Sequence, residues 1–149
     1  MMGILSIYML SEEGNNMGKY VTTEVDIFRI FGSFSWTSEN IATYPSNYIP
    51  NSNDQEFIRI SIIPSSQGVN LVSVEGIVMV EIFTEANLGD RRSLEIADTL
   101  DQFMVGKSFN ENGINTQLFD STLKGASNPE DESRSRQIYS IPFKHFGVN

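Results

Sequence analysis

The sequence predicts one α+β domain, a largely antiparallel sheet of four to five strands with two helices packed on it. Three observations point there. Two segments carry apolar residues at three- and four-residue spacing, and the strand-like segments come in pairs, so the elements run α-β-β-α-β-β. No internal repeat appears and no linker divides the 149 residues.

Residues 22–36 read as the first helix. Thr22 or Thr23 is placed to cap it, Glu24 and Asp26 suit its first turn, and Ile27, Phe28, Phe31 and Phe34 form one core-facing stripe. Gly32 weakens its end. Residues 37–56 follow neither period. Pro45 and Pro50 exclude the helical region before them, and Asn47, Asn51 and Asn53 suit turns. A segment of that length without an element is often functional or interfacial. Ile41, Tyr44, Tyr48 and Ile49 are its candidate anchors on the body.

FIRISII (57–63) alternates, with Ile58, Ile60 and Ile62 on one face and Phe57, Arg59 and Ser61 on the other; Pro64 is expected to end it. SSQG (65–68) reads as a turn and 69–84 as a second, β-branched strand, in which Gly76 signals a bulge or a close backbone approach. Asp90 then caps a helix over 91–105, with Ile96, Ala97, Leu100, Phe103 and Met104 in one stripe and Gly106 terminating it. Residues 116–124 and 136–143 read as two strands joined by an exposed loop, 125–134.

Nineteen Asp and Glu against ten Lys and Arg give a formal charge of −9, spread over both halves of the chain. A sequence-independent grip on nucleic acid needs a cationic surface, so that function is not expected. With no cysteine, disulfide scaffolds, thiolate zinc sites and cysteine nucleophiles are excluded. Residues 1–10 are apolar but short of the about 20 residues that span a bilayer. They also lack the basic and small-residue marks of a secretory signal, so a soluble, non-secreted protein with no membrane partner is expected.

The polar break SEEGNN before Met17 divides an N-terminal extension, 1–16, from the body, 17–149. The extension reads as an arm that lays Ile4, Leu5, Ile7, Tyr8 and Leu10 on a neighbouring subunit, or as a loose end. His145 is the one histidine and reads as a surface residue. NSNDQE (51–56) lacks the glycine and the closing glutamate of a calcium loop. Glu130, Asp131 and Glu132 read as a solvated loop tip, with Arg134 and Arg136 offsetting them. Arg91 and Arg92 oppose the dipole at a helix start. They are either a tolerated surface pair or a contact for acidic groups on a partner. No nucleophile, base and oxyanion donor assemble, so neither catalysis nor a cofactor is expected.

ATYPSNYIP (42–50) followed by EFIRISIIP (56–64), an aromatic/Pro/Asn segment leading into an arginine-bearing strand that ends in proline, resembles the tail-terminator (tail-completion) proteins of long-tailed bacteriophages. GIVMVEIFTEANLGDRRSLEIADTLDQFM (76–104) is similar to that family's strand, glycine turn and helix. The extension and the longer 125–134 loop lie outside the pattern.

The resemblance implies a structural virion protein, assembled in the host cytoplasm. It would form a homo-oligomeric ring, usually a hexamer, on the head-proximal end of the tail tube. There it stops tube polymerisation and docks the head or neck connector. Acidic subunits around the lumen would keep passing DNA from sticking. Closed rings need two different complementary patches per subunit. The arm (Ile4, Leu5, Ile7, Tyr8), the proline loop (Tyr44, Tyr48), Arg91, Arg92 and the acidic tip (Glu130, Asp131, Glu132) are the candidate contacts. The alternatives are another neck, connector or tail-tube protein, or a small cytosolic ligand-binding α+β module.

Overall fold

The computed structural model describes residues 18–111, 114–127 and 133–147. Helix α1 spans Lys19–Gly32 and is followed by a single turn, α2, at Phe34–Thr37. Strands β1 (Thr43–Pro45), β2 (Phe57–Gln67) and β3 (Val74–Glu85) precede helix α3 (Arg91–Met104). Strands β4 (Ser108–Glu111), β5 (Ile114–Leu118), β6 (Thr122–Ala126) and β7 (Arg134–Phe146) complete the described chain.

Among the described residues the expected four- to five-stranded antiparallel sheet with two helices is corrected to a seven-stranded mixed sheet curled into a half-barrel, with three helices. The order is β1-β2-β3-β7-β5-β4, with β6 also on β7; β1 runs parallel to β2 and the other pairs are antiparallel. The reason lies in the short strands. β1 and β4 have three and four residues, too few to show a period, and they form because a longer neighbour supplies the hydrogen bonds. The segment 116–124 breaks at 119–121 into β5 and β6, which pair with opposite ends of β7.

Other boundaries move for equally local reasons. Thr22 and Thr23 do not cap α1; their hydroxyls donate back to the Gly18 and Lys19 carbonyls inside a helix that starts earlier. The Ser33 hydroxyl accepts from the Trp36 N–H at 3.2 Å and starts the extra turn α2, which turns Trp36 into the core and leaves Phe34 86 % exposed. Pro64 does not end β2. The ladder shifts register between Pro64 and Ser66 and continues to Gln67. Gly76 pairs with Pro64 at that bulge, where a Cβ would stand 2.3 Å from the Ile63 carbonyl oxygen, so only glycine fits.

The core follows the alternation. Ile58 and Ile60 of β2, Val78, Val80 and Ile82 of β3, and Tyr139, Ile141 and Phe143 of β7 form one buried cluster. It continues through Ile27, Phe28 and Phe31 of α1 and Ile96, Leu100 and Met104 of α3. α3 is also pinned by polar contacts, Tyr139 Oη donating to Asp101 at 2.7 Å and Gln137 Nε2 to Ser93 Oγ at 2.8 Å. Among the described residues no helix is long and apolar enough to cross a membrane.

Candidate interaction surfaces

The 37–56 segment is held by arginines from two strands, β2 and β7. Arg59 of β2 makes a two-pronged ion pair with Glu81 of β3 at 2.9 and 3.1 Å, and its third nitrogen donates to the Tyr48 carbonyl. Arg136 of β7 reaches the same carboxylate at 2.8 Å. Burial pushes the Glu81 carboxyl up, but the hydrogen bonds from Arg59 and Arg136 outweigh it and hold it below the usual range. Arg134 donates to the Asn51 and Asp54 carbonyls, both at 2.6 Å. Arg134 and Arg136 have a structural use besides the offsetting of the acidic loop expected from their position, and the tip of that loop lies outside the described residues. Both reach partners across the fold, and Arg136 also bonds the neighbouring Ser127 carbonyl.

Tyr44 and Tyr48 stack at 3.7 Å and both meet Phe57 edge-on, so much of their ring surface is used within the chain. Ile41 is buried as an anchor, whereas Ile49, expected to anchor as well, is 85 % exposed. The large apolar side chain that this tightly tied segment presents outward is Ile49.

Arg92 lies at the start of α3, exposed, and pairs with Glu56 at 2.6 Å and Glu95 at 3.4 Å. Arg91 is exposed and has no ion pair among the described residues. Beside them Asn87 and Gly89, both at positive φ, form the turn that carries Leu88, 69 % exposed. A cleft of about 310 Å³ opens between Glu56, Thr84, Leu88 and Arg92.

At the other end of the β2–β3 hairpin the chain turns over 68–73, longer than the expected SSQG turn, and carries Val69 (75 % exposed) and Leu71 (85 % exposed). The turn is built. Asn70 Oδ1 accepts from Val72 N–H and Ser73 Oγ, and the Gly147 N–H donates to Ser73 Oγ. A Cβ on Gly68 would lie 2.4 Å from Ser73 Cβ. Sequence reasoning assigned Val69 and Leu71 to a strand. The signal for a turn was Asn70 between them.

His145 is not on the surface; it is 2 % exposed. The Thr116 hydroxyl gives its proton to Asp26 at 2.6 Å, so at 2.7 Å its lone pair accepts the Nδ1–H of a neutral His145. The chain of three bonds α1 to β5 and β7. Burial depresses the His145 pKa below its ordinary value. Above about pH 6.5 both folded and unfolded chains hold a neutral imidazole. As pH falls below that, the unfolded chain takes up a proton that the fold resists, and stability is lost. With one histidine in the chain, its ring protons can be followed by NMR. A midpoint below 6.5 is expected, and one at or above 6.5 would contradict the buried, neutral imidazole.

The arm residues Ile4, Leu5, Ile7 and Tyr8 and the acidic tip Glu130, Asp131 and Glu132 lie outside the described residues. Among the described residues no three His, Asp or Glu side chains converge as metal ligands.

No family model matches the chain, and no curated protein is similar to it in sequence. Solved structures do share its fold. One, carrying only a sequence identifier, superposes with a TM-score of 0.55 at 10 % identity, covering 80 % of this chain and 86 % of that one. A chain in a structure described as the virion of a native gene transfer agent particle covers 80 % of this chain and 83 % of its own, at 11 % identity and a TM-score of 0.47. The first likeness is one of fold; the second is too loose to build on.

Proposed function

We propose that the chain is a structural subunit of a phage-type tail, acting by shape-complementary contact and without catalysis. In this reading a ring of copies, a hexamer, caps the head-proximal end of the tail tube in the virion. It ends tube growth and offers a docking face to the head or neck, while DNA passes through its lumen without specific binding. The observation that carries the reading is the placement of exposed apolar side chains. Val69 and Leu71 lie beyond the Gln67–Val74 end of the β2–β3 hairpin and Leu88 beyond its Phe57–Phe83 end, while Ile49 is exposed on the loop that leads into Phe57. At about 3.3 Å per residue the ends are ~30 Å apart. Apolar contacts at two opposite, different ends suit a subunit gripped from both sides.

Light scattering with negative-stain imaging, alone and with tail tubes, tests this. One ring per tube end is expected, and Leu71→Glu or Ile49→Glu should abolish attachment while changing stability by no more than about 0.5 kcal/mol. A chain that stays monomeric beside tubes, or whose attachment ignores both substitutions, overturns the reading.

A further inference from the structure

The last strand in the sheet order, β4, has an outer edge with no strand partner among the described residues. Beside it lies a groove of about 300 Å³, between the C-terminal end of α1, the turn α2, the end of α3 and β4. Its floor is apolar: Ile30 is buried, and Phe103 and Phe109 are half-buried and pack against the core. Its rim is cationic. Lys107 is exposed there, and Arg29, ion-paired to Asp26 at 3.6 Å, stands opposite. In a chain with ten cations in total, two on one rim mark the groove for an occupant that is apolar in its middle and acidic at one end.

We propose that this groove is the docking site of the chain's own residues 4–13. The stretch Ile4, Leu5, Ile7, Tyr8 and Leu10 supplies side chains for the Ile30–Phe103–Phe109 floor, and Glu12 and Glu13 follow at once to face Lys107 and Arg29. An extended segment laid against β4 also satisfies that edge's outward backbone groups, the usual mode of strand addition. The reach is sufficient. The described chain begins at Gly18, the N-cap of α1, and the groove lies at the other end of that helix, about 21 Å away at about 1.5 Å per residue. Eleven residues from Ile7 to Gly18 extend to about 36 Å and the six from Glu12 to about 20 Å, at about 3.3 Å each. The apolar stretch therefore reaches the groove, and the two glutamates reach its α1 side, within the length of the Arg29 and Lys107 side chains. Such coverage also removes an open strand edge and an apolar groove from water. The inference stands independently of the ring reading.

The absence of native cysteine makes the test direct. In the full chain, Ile7→Cys is combined with Ser35→Cys on the groove rim, and separately Ile4→Cys with Lys107→Cys. The control pairs Ile7→Cys with Ser66→Cys, which is exposed at the hairpin end. Under mild oxidation both groove pairs should form disulfides at least ten-fold faster than the control, and adding Glu at position 107 to the first pair (Lys107→Glu) should slow it several-fold. A band within one chain and a band joining two chains both support docking, and together they read which copy supplies the segment. Groove pairs that oxidise no faster than the control, or that ignore Lys107→Glu, overturn it.

Discussion

Replacing Glu81 by alanine is expected to lower the unfolding free energy by about 3–5 kcal/mol, because it strands two arginines in a low-dielectric setting. Glu81 is buried, and its partners Arg59 and Arg136 are 13 % and 23 % exposed at the side chain. None of the three can be fully hydrated if the others leave. The Arg59 guanidinium also lies over the Phe83 ring at 5.2 Å and holds the Tyr48 carbonyl, so the damage should spread to the 44–54 loop. Urea titration checks the magnitude, and proteolysis within 46–55 checks the spread. The triple change Arg59→Met, Glu81→Leu, Arg136→Met should recover much of the loss, since like-sized apolar groups leave no unpaired charge. A loss under about 1 kcal/mol in Glu81→Ala would mean that water reaches the site and the ion pairs behave as surface pairs.

The same cluster sets a second acid dependence. The carboxyl of Glu81 sits below its unfolded value, so it contributes stability that is complete above the usual carboxylate range and is lost as pH falls below it. His145 begins to act at a higher pH, near 6.5. Stability measured against pH should therefore fall over two windows, with Glu81→Gln removing the Glu81 contribution to the lower one.

Trp36→Ala is the other large effect, about 3–5 kcal/mol. The indole is buried and meets Phe31 at 5.0 Å and Phe103 at 5.2 Å, both edge-on, while its Nε1–H donates to Thr43 Oγ1 at 2.9 Å. One side chain thus joins α1, α3 and β1. Trp36→Phe keeps an aromatic ring and should cost less, about 1–3 kcal/mol, from the missing donor and the smaller ring. Circular dichroism at the melting transition measures both. Equal costs for Ala and Phe would assign the whole effect to the hydrogen bond and none to packing. Trp36 is the one tryptophan, so its fluorescence reports unfolding in every other variant.

The longer elements were legible because their own residues carry the period. The 91–105 stripe became α3 at Arg91–Met104, with Gly106 at positive φ ending it. The alternation of FIRISII became the start of β2, and Gly76 did mark a close approach. Arg92 also had an intramolecular use, in Glu56, that its place at a helix start did not disclose. Two of the proposed contacts, Tyr44 and Tyr48, are spent largely on each other and on Phe57. The most exposed apolar residues described are instead Phe34, Ile49, Leu71, Val69 and Leu88. Single exposed side chains in turns leave no periodic trace.

From residue order alone one can read what depends on near neighbours: helical stripes, alternating strands, the acidic balance, the lack of thiol chemistry. The sheet's width, the burial of His145 and the tying of 37–56 rest instead on partners far apart in the chain. Asp26 meets Thr116 ninety positions on, and Arg134 meets Asn51 and Asp54 more than seventy positions back. Such contacts form only when the half-barrel closes. A hydrogen bond between distant residues is set by where the backbone carries them, and local propensity holds no record of it.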